Sequence, residues 1–352
     1  MALLFFESFA KYKTGSTGWT EFCSDNPDYT NGGTSLVSMQ SAGGRFGDTC
    51  LAYSSTSSRD ISLPFRDGAA SGTVVIMGAL VKHTAAPTIQ QAKELFCVTT
   101  GLATNIKSVR LNVYPGYIEL MDSTGAIVGT AFGPFLQIDQ WSLVELKVDC
   151  VNSGTATVRV NGATVISVST TDFLNVSATV PNVVRLFDGV TFMYCDYFYV
   201  SDDSGSAPFN NLLGDMRIET VVPDADGTTA NWTASAGSNY QCVDDALGSY
   251  NDDTDYISSS TTDQDNYVSM GTLSAASGDI LFSLHTALAR NDGSGSIAVL
   301  TDSNGTIVAT GDLTLTTAYA WKRKFDFVDP DTSSAWASVT PLNAAEWGVR
   351  FR

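Results

Sequence analysis

The stretch 144–169 contains Val144-Glu145-Leu146-Lys147-Val148-Asp149, then Thr155-Ala156-Thr157-Val158-Arg159-Val160, Asn161-Gly162, and Ala163-Thr164-Val165-Ile166-Ser167-Val168-Ser169. In the first two runs apolar side chains alternate with polar ones, the period of a strand with one face in a core and the other in water. Asn161-Gly162 suits a two-residue type I′ hairpin turn, where both central residues need positive φ, so 163–169 reads as the returning strand. Outward from this hairpin, Thr73 to Val81 and Thr191 to Val200 read as further strands, the second dense in aromatics. One short helix is predicted around Ile89 to Phe96.

Composition points the same way. Of 37 acidic residues only seven are Glu, Lys is scarce, and Gly, Ser, Thr, Asn, Asp, Val and aromatics abound. Such a chain lacks good helix formers and is rich in turn and strand formers. It excludes helical bundles and doubly wound α/β folds and predicts an all-β sandwich. The formal charge of −18 argues against a nucleic-acid backbone as main partner. The longest early apolar run, Ala2 to Phe6, is followed at once by Glu7, too short for a signal core. No stretch approaches the roughly 18 apolar residues of a membrane span, so a soluble chain made without a secretory signal is expected.

The six cysteines, Cys23, Cys50, Cys97, Cys150, Cys195 and Cys242, stand singly, with no zinc or redox spacing. Free buried thiols are expected; Cys23 and Cys50 would be the first pair to suspect of a bridge. At about 150 residues per domain, 352 residues suggest two domains. The polar link 201–208 sets the expected boundary, with residues 1–204 as one domain and 205–352 as a second. Leu120 to Thr130 matches Leu300 to Thr310, and Trp141 matches Trp321 at the same offset. Each Asp-Ser-x-Gly reads as a hairpin loop with Gly at the positive-φ position. Two sandwiches of related design are therefore expected.

Catalytic chemistry finds little support in the residues. Only His83 and His285 exist, without a nucleophile elbow beside either, and both read as structural or surface groups. Glu145 and Asp149 share a strand face with Lys147 between them, which predicts a solvated, salt-bridged face. Glu119 and Asp122 read as hairpin chemistry. Asp224-Ala225-Asp226-Gly227 begins like a calcium loop, but its twelfth position is Ser235; this segment and the cluster Asp252, Asp253, Asp255 read as acidic turns. Gly43-Gly44-Arg45-Phe46-Gly47 lacks the ending of a phosphate loop. The sequons at Asn175, Asn231 and Asn304 carry little weight without a secretory signal. No catalytic residue, cofactor or metal ligand is assigned, and no exposed aromatic row can be placed.

Phe5-Phe6-Glu7-Ser8-Phe9, Gly44 to Leu51, Trp141 to Val148, Asn161-Gly162 and Asp196 to Val200 resemble the concanavalin A-like (laminin-G-like) domains of tailed-bacteriophage virion proteins. Leu213 to Ile218, Pro223 to Gly227, Trp232, Val243 to Asp245 and Leu342 to Val349 resemble a second module found in such proteins. The resemblance implies a concanavalin A-like jelly-roll sandwich followed by a second, smaller β-sandwich. It also implies a non-enzymatic structural component on the exterior of a virion, in the tail, baseplate, neck or fibre apparatus or as a head decoration. Assembly would occur in the host cytoplasm. The expected partners are other virion proteins, copies of the chain and a possible host-surface glycan, with no nucleic acid and no membrane insertion. The alternatives are a glycan-binding adhesin and a β-sandwich glycosidase using Glu119 and Glu145.

Overall fold

The computed structural model describes residues 3–25, 37–40, 43–45, 48–53, 61–64, 73–83, 93–99, 107–114, 116–174, 183–188, 193–250, 253–273 and 279–352. The fold is all-β, as the composition predicts, and the chain divides into two compact units, Met1–Arg217 and Ile218–Arg352. Residues 205–217, expected to open the second domain, sit with the first.

The first unit is a sandwich of two antiparallel sheets. One has eight strands, in the order Ala163–Thr171, Gly154–Val160, Trp141–Asp149, Val74–His83, Met193–Ser201, Cys50–Tyr53, Val37–Gln40, with Leu3–Glu7 also pairing Met193–Ser201. The other has six: Ile61–Pro64, Val183–Asp188, Lys93–Thr99, Lys107–Tyr114, Tyr117–Met121, Ile127–Phe132. Spatial neighbours distant in sequence give the jelly-roll character. In the eight-stranded sheet, Val144, Leu146 and Val148 stand opposite Ala79, Met77 and Val75 on one side and Val160, Val158 and Ala156 on the other. All these side chains are buried. Phe96 of the six-stranded sheet stacks on Phe198 of the eight-stranded one, with centroids 6.5 Å apart, which places the core between the sheets. The hairpin turn forms as predicted, with φ of 49° at Asn161 and 81° at Gly162.

Two local expectations fail. The predicted helix at Ile89 to Phe96 is a strand from Lys93, its earlier residues lying outside those described. Its cross-strand partners, Val109 and Leu111 against Val98 and Phe96, decide for the sheet over weak local preference. A helix does form at Gly15–Asp25, where Trp19 and Phe22 lie one turn apart and are fully buried. Gly18 is required there, because a Cβ would stand 1.6 Å from the Lys13 carbonyl oxygen.

The second unit carries a six-stranded sheet in the order Pro223–Ala230, Asp265–Met270, Glu346–Phe351, Ser296–Ser303, Thr306–Ala309, with Leu313–Thr314 also on Ser296–Ser303. Ser283–Ala289 pairs with Ala320–Asp326 in a separate two-stranded sheet, and Thr233–Ala234 with Ile257–Ser258 in another. Trp336, Leu342, Ala345 and Trp347 form one core cluster. In both units the matched hairpin lies in one sheet and the Trp-led strand in another. Asp224 to Gly227, predicted as an acidic turn, belongs to a strand paired with Asp265–Met270, and Asp226 accepts from the Tyr240 amide at 2.7 Å. The six cysteines are unbridged. No helix among the described residues is long and apolar enough to cross a membrane.

Candidate functional site

Along Lys107–Tyr114, Val109, Leu111 and Val113 point into the core, which leaves Arg110, Asn112 and Tyr114 on the outer face of the six-stranded sheet. The pairing register carries that alternation across the neighbouring strands. Tyr114 stands opposite Tyr117, and Tyr117 opposite Phe132. Asn112 stands opposite Glu119 on one side and Glu94 on the other. Arg110 stands between Met121 and Cys97, and Cys97 stands opposite Arg185. Three rows therefore cross this face: one aromatic, one of carboxylates and an amide, one carrying two guanidinium groups.

The aromatic row lies at one end of the strands. Tyr114 and Tyr117 stack with centroids 4.1 Å apart and planes within 10°, and Phe132 follows at 5.9 Å from Tyr117. Gly116 forms the tight return between the tyrosines at φ 95°, and its carbonyl accepts from the Gly133 amide at 2.8 Å. Phe132 is 81% exposed.

Beside this row the polar groups are held in place. Lys107 Nζ contacts both Glu94 oxygens at 2.8 Å. Asn112 Nδ2 donates to Met121 Sδ at 3.1 Å. Glu94, Asn112 and Arg185 are nearly buried although they lie on the face away from the core. Burial, followed by a hydrogen bond with Glu119, pushes the Tyr114 hydroxyl up to about 12, which keeps it protonated. Burial and the nearby Glu94 carboxylate hold the Cys97 thiol well above its ordinary range, so it is not a thiolate. Gly125, at φ 87°, makes room for the Arg110 guanidinium, since a Cβ there would stand 2.5 Å from its terminal nitrogen.

The outer face of the eight-stranded sheet carries a second polar cluster. A bulge in Met193–Ser201 sets two residues, Asp196 and Tyr197, between the pairs Cys195–Val81 and Phe198–Ala79. Both side chains are therefore aimed outward opposite Leu80. Asp196 Oδ2 accepts from the Arg45 amide at 2.7 Å, while Oδ1 has no partner among the described residues. Burial, with a contribution from Asp48, raises the Asp196 carboxyl to about 7. Lys82 lies between the Trp141 and Tyr194 rings, 4.9 and 5.0 Å from their centroids.

The residues singled out in the sequence fall elsewhere or take other roles. Glu145 is fully buried, not part of a solvated face, because residues 213–214 cover it: its Oε1 accepts from Tyr199 Oη at 2.6 Å and the Gly214 amide at 2.8 Å. Lys147 donates to the Asn210 carbonyl at 3.1 Å. Asp122 accepts from the Thr124 and Ala126 amides, which is hairpin chemistry as predicted. Glu119 joins the six-stranded face, far from Glu145 in the fold because the two lie on opposite sheets, so they form no catalytic pair. His83 is buried at the end of the central strand Val74–His83, and His285 is half-buried in the second unit with both ring nitrogens shielded from solvent, where desolvation favours the neutral ring. Asn175, Asp252, Phe46 and Gly47 lie outside the described residues. Among the described residues no cluster of His, Cys, Asp or Glu is placed to hold a metal ion. The aromatic row was missed, although the Tyr114-Pro115-Gly116-Tyr117 turn carries its signal.

No protein-family model matches the chain, and no curated protein matches it. Solved structures do. The alginate lyase Aly36B shares 13% identity over 56% of this chain and 96% of its own, with a TM-score of 0.39. The carbohydrate esterase of Shiga toxin-encoding bacteriophage phi24B shares 15% over 56% and 99%, with a TM-score of 0.36. The endo-β-1,4-glucuronan lyase of Trichoderma reesei shares 12% over 49% and 89%, with a TM-score of 0.37. The likeness is one of fold. Two expectations, the non-enzymatic virion component and the chain that is no enzyme, are withdrawn: the matches named here are two lyases and an esterase.

Proposed function

We propose that the first unit binds and acts on a polysaccharide at the outer face of its six-stranded sheet. The carrying observation is the row Tyr114, Tyr117, Phe132, which ends in a phenylalanine ring 81% exposed beside a row of fixed hydrogen-bonding groups. An exposed apolar platform rimmed by polar side chains marks a binding surface. A pyranose ring has an apolar face of C–H bonds and a rim of hydroxyls, and it meets both features together. Glu94, Lys107, Glu119 and the protonated Tyr114 supply acid and base groups on the same face.

The test is a panel of polysaccharides scored by thermal shift and by product. New reducing ends report hydrolysis, ultraviolet absorbance of an unsaturated uronide reports elimination, and released acetate reports deacylation. A bound glycan raises the melting temperature with its occupancy, and Phe132→Ala removes that shift while leaving the unliganded melting temperature unchanged. A panel in which no polysaccharide shifts the protein or is altered by it overturns the reading. The sequence resemblance supports a phage particle as the location and a host-surface glycan as the partner; immunogold labelling of particles tests that location separately.

A further inference from the structure

We propose that the open edge of the second unit's six-stranded sheet, at Thr306–Ala309, pairs antiparallel with the same edge of a second copy of this chain. Among the described residues this strand is bonded on one side only, to Ser296–Ser303. All four of its residues are exposed, Ile307 at 46% and Val308 at 41%. The Thr310 amide donates to the Val299 carbonyl at 3.0 Å, so the same line of backbone runs on past Ala309. An outer strand offers a row of amides and carbonyls to any strand that can lie beside it. The other outer strands of the three larger sheets are guarded against such pairing. Pro223–Ala230, on the opposite edge of the same sheet, carries Pro223, Asp224 and Asp226 and two breaks in register. Ala163–Thr171, Leu3–Glu7 and Ile127–Phe132 pair with register breaks of their own. Ile61–Pro64 ends in proline, Met39 of Val37–Gln40 bridges to Gly15, and Leu313–Thr314 is two residues long. Thr306–Ala309 pairs without a break and holds neither a charge nor a proline.

A second copy fits this edge because the strand is self-complementary. A two-fold axis through Val308, normal to the sheet, sets Val308 opposite its own counterpart, Ile307 opposite Ala309 and Thr306 opposite Thr310. Cross-strand pairs of β-branched side chains and of threonines stabilise a sheet. Val308 stands opposite Thr301, which stands opposite Trp347 of the core cluster, so Val308 shares their side of the sheet. The axis keeps both copies' cores on that same side, and pairing continues the apolar layer past the edge. Copies carrying −18 repel one another, yet residues 306–311 hold no charge and Asp312 just beyond is paired with Arg352 at 3.4 Å. The first unit shows the matching hairpin closed. There Gly129, the counterpart of Ala309, lies against Ile166 and Val168 of another strand, so that a Cβ on it would stand 2.6 Å from Ile166. In the second unit the same position is exposed.

Sedimentation velocity of the full chain from about 1 µM to about 200 µM tests this, with hydrogen exchange of residues 306–309 followed at both ends of the range. The expected result is a concentration-dependent rise to twice the mass of one chain. Exchange in this strand should slow at the high end, because its outward amides gain partners. Val308→Lys sets two ammonium groups directly opposite each other across the axis, and should weaken the dimer by about tenfold or more while the dilute chain still melts as the parent does. Should Val308→Lys impair folding, Thr306→Lys at the exposed end of the strand makes the same comparison. Thr164→Lys, on an outer strand of the first unit, should leave association unchanged. A chain that stays monomeric through the range overturns the proposal. So does a dimer that survives a folded lysine variant of this strand, or one in which residues 306–309 exchange equally fast at both concentrations. Growth into larger species with no stop at two copies overturns the closed pair. None of these outcomes touches the glycan reading of the first unit.

Discussion

The Tyr199 hydroxyl donates to Glu145 Oε1 at 2.6 Å and accepts from the Leu213 amide at 3.1 Å, so one phenol joins two strands to the segment that covers them. Glu145 completes the link by accepting from the Gly214 amide. Burial and the adjacent carboxylate push the Tyr199 hydroxyl far above its ordinary range, which keeps it a donor.

Glu145→Ala should therefore destabilise the first unit by about 3 kcal/mol, because it leaves a buried hydroxyl and a buried amide without an acceptor. Tyr199→Phe should cost about 1 kcal/mol, and the double variant should cost less than the sum of the two. Denaturant unfolding of the four proteins checks this; additive losses would separate the two groups energetically.

Gly78 stands opposite both residues in the sheet, and a Cβ there would lie 2.3 Å from the Tyr199 ring. Gly78→Ala should cost about 2 kcal/mol through overpacking. Replacement of Gly162 by Ala, at a turn position with nothing near it but φ of 81°, should cost about 1 kcal/mol through backbone strain alone. Melting temperatures of the two variants rank the effects.

Asp196 titrates near 7 in the folded unit against an ordinary value near 4, so the folded state holds its proton more tightly. Its contribution is full below about pH 4 and is lost as pH rises towards 7. Asp196→Asn keeps an acceptor for the Arg45 amide and removes the ionisation. It should stabilise the first unit by on the order of 2 kcal/mol at pH 8 and leave it nearly unchanged at pH 4. A stability difference that does not vary between these two pH values would contradict the assignment.

In the second unit Lys324 pairs with Asp326 and Thr301 in an interior where all three are nearly buried. Lys324→Met should destabilise this unit by about 3 kcal/mol, since it strands a buried carboxylate. Lys324→Met combined with Asp326→Leu should recover most of the loss. Equilibrium unfolding of the two variants makes the comparison.

Strand positions were legible wherever alternation and turn chemistry agreed, as at Val144 to Ser169, where the register of Val144, Leu146 and Val148 follows their period of two. The helix Gly15–Asp25 was not legible, because two glycines and two threonines give it poor propensity and its support is tertiary: Trp19 stacks on Phe22 at 5.2 Å and Phe9 packs on the same ring. Glu145 was misread because its alternation correctly placed it on the outer face, while nothing local indicated that residues 213–214 would close over it. The candidate site was hidden for a related reason. Its rows run across strands, and Arg185 is brought beside Cys97 and Arg110 only by pairings distant in sequence.

The residues after the last strand of the first unit have a practical consequence for dividing the protein. A fragment ending at residue 204 would lose the Leu213 and Gly214 amides, the Asn210 carbonyl and Asp215, and with them one partner each of Tyr199, Glu145, Lys147 and Arg45. A fragment ending at residue 217 retains all four. The sensible cut for domain dissection therefore falls after Arg217, and a shorter piece that misfolds would report on the missing thirteen-residue strap, 205–217, and not on the foldability of the sandwich.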